Sequence, residues 1–248
     1  MKTFFLFLFL SVFGTCAQKS LKDSTVRNIL VGINYKASFT GADLADRWGF
    51  NNQLGGDFDV KFKNNLTIGL SGGFIFGSKL RDTTIFANVF NSFGNITSSA
   101  GQEADVLFLM RGASAYATVG YVFNKYGNNP NSGLWVNFGV GYLMHKIRIE
   151  SLNDQVPQLE GPYRKGYDKL TMGVSSKQFI GYLYQSDFRL IKFYGGFEFS
   201  QGLTKNVRTY NFDTGGTETD LKLDLLYGFK VGWILPISHR TRGEYYRD

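Results

Sequence analysis

Charged side chains that alternate with apolar ones are the residues of this sequence best suited by type to do chemistry. Between Asp57 and Phe62, acidic and basic residues occupy every second position, and apolar residues occupy the positions between them. A period of two places these charges on one face of a β-strand. The same spacing elsewhere assigns further charges to this face, and the predicted set is Asp57, Asp59, Lys61, Lys192, Glu198, Lys222, Asp224 and Lys230.

The surroundings of this charged face limit what it can do. If the face lines a narrow barrel, each charge must pair or be hydrogen-bonded, because an unpaired buried charge is very costly. Paired charges would form a salt-bridged plug, which is the interpretation we favour. The alternative is a lumen that conducts protons or ions. Neither interpretation calls for a cofactor.

The sequence contains two histidines, His145 and His239, so few general bases are present. His145 falls on the inward face, near the outer end of a predicted strand, where a rim enzyme would place a histidine with Ser or Asp. No nucleophile motif accompanies it, and the GxSxG, HExxH, P-loop and EF-hand patterns do not occur. We therefore expect a solvated histidine and a non-catalytic protein. A small enzyme that modifies lipid A or cleaves peptides is the alternative.

Residues 1–17 have the pattern of a secretory signal peptide. Lys2 precedes an apolar run, Phe4 to Phe13, which is too short to span a bilayer because spanning needs roughly 20 apolar residues. Cleavage after Ala17 would remove Cys16, the single cysteine, and so exclude disulfide and cysteine metal chemistry. A lipidated Cys16 is the alternative interpretation.

The composition favours membrane-spanning strands over membrane helices. Glycine (30) and aromatic residues (17%) are abundant, and the mean hydropathy is -0.15. Alternating strands can cross a membrane at such a bland average hydropathy. The net charge of +7 suits acidic surfaces such as lipopolysaccharide or an acidic partner. Because the basic residues are scattered and export is predicted, we expect no nucleic-acid binding.

Eight segments with a period of two follow the signal, and their connections alternate between long and short. This pattern predicts an all-β protein, an eight-stranded antiparallel transmembrane β-barrel over residues 18–237, in the bacterial outer membrane with both termini in the periplasm. A soluble β-sandwich or lipocalin-like barrel is the alternative, but it would need an apolar interior. The predicted strands are about 28–39, 51–63, 66–77, 104–123, 134–149, 176–185, 189–204 and 221–235.

Two side chains on the outward face, Phe74 and Arg111, test this prediction. Phe74 is predicted to face lipid, and an arginine there should cost about 2 to 4 kcal/mol if the position is near the bilayer midplane. Arg111 shares its face with Ala113 and Val119, which is unexpected for lipid. Either a β-bulge resets the register there, or Arg111 lies above the bilayer at the outer rim.

The terminal segment 238–248 is predicted to be a periplasmic tail that is not needed for the barrel wall. Tyrosine and arginine are enriched at protein interfaces, so the tail is a candidate docking peptide. An irregular chain end without function is the alternative. The candidate docking residues are His239, Arg240, Arg242, Tyr245, Tyr246 and Arg247.

Three features together resemble small outer-membrane barrels of Bacteroidota: the signal ending at Ala17 before Gln18, the eight-strand pattern, and the segment LKLDLLYGFKVGWILPISHR at Leu221 to Arg240. Among these barrels the chain looks most like the PorG family of the type IX secretion and gliding system, and PorT-type and orphan barrels are close alternatives. The resemblance implies a non-catalytic part that fixes a periplasmic lipoprotein ring to the outer membrane. It carries over no functional residues. A surface ligand-binding barrel stays open as another function.

Overall fold

Eight antiparallel strands close into one barrel in the computed structural model, which describes residues 25, 27–151, 155–186 and 192–235. Each strand pairs with the next along the chain, and the last pairs with the first. The predicted all-β, eight-stranded barrel is therefore confirmed. The predicted signal peptide (1–17) and the predicted tail (238–248) lie outside the described residues. The strands are β1 (Asn28–Ala42), β2 (Asn51–Lys61), β3 (Leu66–Gly77), β4 (Val106–Phe123), β5 (Gly133–Ser151), β6 (Thr171–Gln185), β7 (Lys192–Asn206) and β8 (Lys222–Ile234).

Strand β6 begins earlier than the sequence predicted, at Thr171 instead of about residue 176. Thr171, Gly173 and Ser175 face inward, and they pair with β7 up to Asn206. These inward residues are small and polar, so this stretch lacks the strong contrast between faces that marks the other strands. The weak contrast explains why the sequence pattern missed it.

The helices of the described chain are short and lie in the connections between strands. The two α-helices are α1 (Asp43–Arg47) and α2 (Arg164–Tyr167), and single 3₁₀ turns span Thr84–Phe86, Asn124–Tyr126 and Pro157–Leu159. Within the residues that the structure describes, none of these helices has the length and apolar character needed to cross a membrane.

The two ends of the barrel differ in the length of their connections. The connections β2–β3, β4–β5 and β6–β7 form what we call the turn end, and β1–β2, β3–β4, β5–β6 and β7–β8 form the loop end, which carries the three longest connections. The shortest connection is the predicted hairpin turn at Asn64 and Asn65. Asn65 has a φ of 65°, which asparagine tolerates better than most residues, and its N–H donates to the Phe62 carbonyl at 3.0 Å.

The outer surface of the barrel is apolar, whereas its inner surface is mostly polar and small. Leu70 is 63% exposed and Val140 is 53% exposed, both on the outward face. The lumen is narrow: a Cβ added at Gly232 would lie 2.2 Å from the Tyr194 ring. An apolar exterior around a filled polar interior is the opposite of a soluble barrel and is typical of small outer-membrane barrels.

Strand β4 resolves the uncertainty about Arg111. Its register with β3 and β5 runs without a bulge, and Arg111 faces outward between Phe76 and Lys146. At about 3.3 Å per residue and a tilt near 45°, β4 rises roughly 28 Å from Arg111 to Phe123, close to the ~25 Å apolar band of outer-membrane barrels. This places Arg111 at the loop-end rim of the band. Of the two alternatives predicted, the rim position therefore applies and the β-bulge does not.

The same register locates the middle of the apolar band. Ala117 lies midway between Arg111 and Phe123, and it pairs with Leu70 on one side and Val140 on the other. Phe74 pairs with Ala113, two residues from Arg111, so it lies closer to the loop-end rim than to the midplane. The cost predicted for an arginine at the midplane therefore applies to Leu70 better than to Phe74.

Candidate functional site

The centre of the lumen holds a network of three lysines and three carboxylates, which we call the lumen network. Each of these side chains comes from the inward face of a strand, and all are buried. Their formal charges cancel. The members of the lumen network are Lys36, Asp57, Asp59, Lys177, Glu198 and Lys230.

Glu198 lies where the three lysines of the lumen network converge. Its Oε1 accepts a hydrogen bond from Lys36 Nζ at 2.9 Å, and its Oε2 lies 3.3 Å from Lys230 Nζ and 3.7 Å from Lys177 Nζ. These ion pairs join β7 to its two neighbours, β6 and β8, and to β1, which lies beyond β8 in the barrel. One carboxylate thus stabilises three buried cations, and the charge balance is completed by Asp57 and Asp59.

Asp57 and Asp59 complete the lumen network from β2. Asp57 Oδ1 lies 3.1 Å from Lys230 Nζ, and its Oδ2 accepts a hydrogen bond from Asn34 Nδ2 at 2.6 Å. The Tyr194 hydroxyl also donates to Asp57. Asp59 accepts a hydrogen bond from Thr118 Oγ1 at 3.2 Å. The arrangement is that of a plug built from paired charges and hydrogen bonds.

The eight charges singled out from the sequence do not all join this network. Lys61 lies toward the turn end, fully buried, and donates to Asn131 Oδ1 at 3.1 Å. Lys222 lies at the loop end and pairs with Glu218, while Lys192 is half-buried at the start of β7. Asp224 is buried beside His145. These four residues lie on the inward face of their strands, but they are too far along the strands, toward one end of the barrel or the other, to reach the lumen network.

Two members of the lumen network, Lys36 and Lys177, were missed by the sequence analysis. Lys36 lies between Tyr35 and Ala37, which are on the opposite face of the strand. Its inward orientation could therefore have been inferred from spacing alone. Lys177 shares its face with Phe179, an aromatic residue that also points inward, and this obscured the polar pattern.

His145 is buried and paired, so the expected solvated rim histidine was wrong. Its side chain is 1% exposed, and Nε2 lies 2.8 Å from Asp224 Oδ2. The Thr204 hydroxyl donates to the same carboxylate at 2.5 Å. Because Thr204 is bonded to Asp224 and not to the imidazole, the three side chains lack the arrangement in which a base activates a nucleophile.

Apolar clusters close the lumen above and below its charges. The cluster at the loop end, the upper seal, combines strand residues with residues from the long connections and includes Leu44, Trp48, Phe86, Met110, Leu143, Ile147, Leu159 and Tyr167. The cluster at the turn end, the lower seal, consists of Leu30, Val122, Trp135, Phe179, Leu183, Tyr194 and Ile234. The lumen network is therefore enclosed between two layers of close-packed side chains.

Ion pairs tie the long connections together above the upper seal. Glu218 accepts hydrogen bonds from Lys169, at 2.9 Å, and from Lys222, and Asp168 forms a two-point pair with Arg208. Burial raises the pKa of Glu218, but the bonds from the two lysines outweigh it and lower that pKa to about 2. Because the pKa of Glu218 is lower in the folded protein, its bonds to the two lysines stabilise the fold. This stabilisation is present above pH about 4.5 and is lost as the pH falls toward 2.

The two seals predict that the barrel carries no ion current. Purified protein in a planar lipid bilayer should give no current steps above the lipid background, because ions would have to cross two apolar layers and a compensated charge network. A porin, whose wider barrel leaves an aqueous channel, serves as the positive control. Reproducible current steps that scale with the amount of protein would contradict the plug interpretation and favour a conducting lumen.

These features define the class of the protein as a small eight-stranded transmembrane β-barrel with a filled lumen. Comparison with protein-family models gives no match, and comparison with curated proteins gives none either. Solved structures of similar fold include Ail, the attachment invasion locus protein of Yersinia pestis, in complex with the heparin analogue sucrose octasulfate (TM-score 0.41, 10% identity, 85% of this chain and 99% of that chain covered). Neisserial surface protein A is another (TM-score 0.40, 10% identity, 83% of this chain and 96% of that chain covered).

Proposed function

We propose that this protein is a non-catalytic outer-membrane barrel that anchors a protein complex to the outer membrane. The observation that carries the proposal is the sealed lumen. A barrel closed by the upper and lower seals offers no path for a solute, and its only described histidine, His145, is buried beneath the upper seal. Both facts support a function in which the outer surfaces of the molecule bind other proteins, and neither favours transport or catalysis.

The turn end carries the surface best suited to a partner. Arg27, Lys63 and Lys125 are exposed there, and the described residues of the turn-end connections include no Asp or Glu. In outer-membrane barrels the short turns face the periplasm. A basic periplasmic surface suits an acidic partner through charge complementarity.

The type IX secretion and gliding system is the complex that we propose for this role. The resemblance of the segment from Leu221 to Arg240 to PorG-type barrels supports it. The partner would then be a periplasmic or lipoprotein component of the secretion machinery. The tail residues predicted to dock, which include Arg240 and Arg247, lie outside the described residues, and their role is part of the same proposal.

Deleting residues 238–248 tests the docking role of the tail. The expected result is a folded barrel that still migrates differently on gels when unheated, together with loss of the co-purifying periplasmic proteins. Any defect in secretion or gliding should match the defect of a full gene deletion. Normal secretion with unchanged co-purification would reject the tail as a docking element.

A charge reversal at the turn end tests the same role without touching the tail. Lys63→Glu combined with Lys125→Glu should weaken co-purification and secretion, because both exposed positions would then carry negative charges that repel an acidic partner. Lys79→Glu, an exposed reversal at the loop end, is the matched control and should leave both unchanged. Equal losses in the two variants would mean that the turn end has no special role.

A further inference from the structure

A group of cations lies on the outward surface of the barrel, at the loop-end rim of the apolar band. Arg111 on β4 and Lys146 on β5 are directly opposed in the strand ladder, and Arg148 follows on the same face of β5. Arg164, from the connection between β5 and β6, lines the same cleft. We call these four residues the rim cluster. Its cleft has a volume of about 370 Å³.

Protein carboxylates compensate the rim cluster only in part. Arg148 pairs with Glu150 on the same face of β5. Like charges directly opposite each other on a sheet are destabilising. An anion bound beside Arg111 and Lys146 would therefore relieve their repulsion. Neither forms an ion pair with a carboxylate in the described part of the chain, and Arg111 donates only to the Met110 carbonyl, at 2.9 Å. Asp168 also lines the cleft, but both of its carboxylate oxygens are held by Arg208.

Apolar residues lie directly below these cations on the outward face. Phe74 is half-exposed and lines the cleft, and Ala113 and Met144 form the next outward pair toward the midplane. A ligand that fits this surface combines an anionic group at the rim with hydrocarbon along the wall. A phosphorylated lipid has this structure, because its phosphate lies at the membrane surface and its acyl chains lie against the apolar band.

We propose that the rim cluster binds the phosphate of a phosphorylated lipid headgroup, of the kind that lipid A carries in the outer leaflet. Arginine suits this task because its planar guanidinium can bond two phosphate oxygens at once. Lys146 supplies a point charge between Arg111 and Arg148. The site concerns the lipid around the barrel, so it does not depend on the docking role proposed above.

The test measures binding of bisphosphorylated lipid A to the purified barrel in detergent micelles by native mass spectrometry. Wild-type protein should retain this lipid in preference to the same lipid without its phosphates. Exchanging Arg111, Lys146 and Arg148 together for glutamine should weaken retention about tenfold or more, because charge-assisted bonds are lost. Lys205→Gln, at an exposed outward position on β7, is the matched control and should bind as wild type does.

Three results would overturn the proposal. The triple variant could bind as tightly as wild type, the dephosphorylated lipid could bind equally well, or inorganic phosphate at matched concentration could displace the lipid, which would indicate a site for free anions. Folding of each variant is checked by heat-dependent gel migration. If the triple variant does not fold, Lys146→Gln alone replaces it, and it should still bind the lipid more weakly than Lys205→Gln does.

Discussion

Glu198→Gln should destabilise the barrel by about 3 to 5 kcal/mol, the cost of breaking a buried ion pair by removing one partner. The substitution keeps the shape of the side chain but removes the charge on which Lys36, Lys177 and Lys230 converge. These lysines would then be buried without adequate compensation. Equilibrium unfolding in urea, with the barrel in lipid vesicles, measures the free energy of unfolding.

A second substitution shows whether the cost arises from the uncompensated cations. Lys36→Met in the Glu198→Gln background should recover part of the lost stability, because it removes the cation that donates to Glu198 at 2.9 Å. Glu103→Gln, at an exposed position in the β3–β4 connection, is the control and should stay within about 0.5 kcal/mol of wild type. A Glu198→Gln barrel as stable as this control would show that the lumen network does not hold the barrel together.

Leu70→Arg should cost about 2 to 4 kcal/mol, the penalty for a cationic side chain facing lipid at the bilayer midplane. Leu70 is outward-facing, 63% exposed, and pairs with Ala117 in the middle of the band. The same unfolding measurement applies. Phe74→Arg, closer to the rim, should cost less than Leu70→Arg.

The matched control for this prediction is Leu107→Arg. Leu107 is outward-facing on β4, beyond Arg111 toward the loop end, so its arginine should reach the aqueous interface. The cost there should be about 0 to 1 kcal/mol. Equal costs at Leu70 and Leu107 would mean that the band between Arg111 and Phe123 is not the part of the barrel in contact with lipid.

Both sets of substitutions separate two sources of stability in a small barrel. The exterior gains stability from contact between apolar side chains and lipid, while the interior must satisfy every charge within a few strands. Because ion pairs and hydrogen bonds between strands make the interior rigid, the turns and loops at both ends of the barrel are held in fixed positions. A stable anchor needs this property, whereas a channel needs an open path through the lumen.

The sequence alone determined the strand count, the faces of most strands and the alternation of short and long connections. These features are local, because side chains alternate between faces at every residue and turn residues such as Asn64 and Asn65 mark the ends of strands. The inward location of Asp57, Asp59, Glu198 and Lys230 followed from the same alternation. The weakly patterned start of β6 was missed because its inward residues are small and polar.

Only the tertiary structure decided which of these residues meet. Lys36 and Glu198 are 162 residues apart, and His145 and Asp224 are 79 apart, so their contacts depend on barrel closure and register. The upper seal draws on connections that have no periodic pattern, and it is this layer that buries His145. The rim cluster likewise exists because the β4–β5 register places Arg111 opposite Lys146. Spacing along one strand fixes the face of a side chain, but its partner across the barrel is set by the stagger of all eight strands.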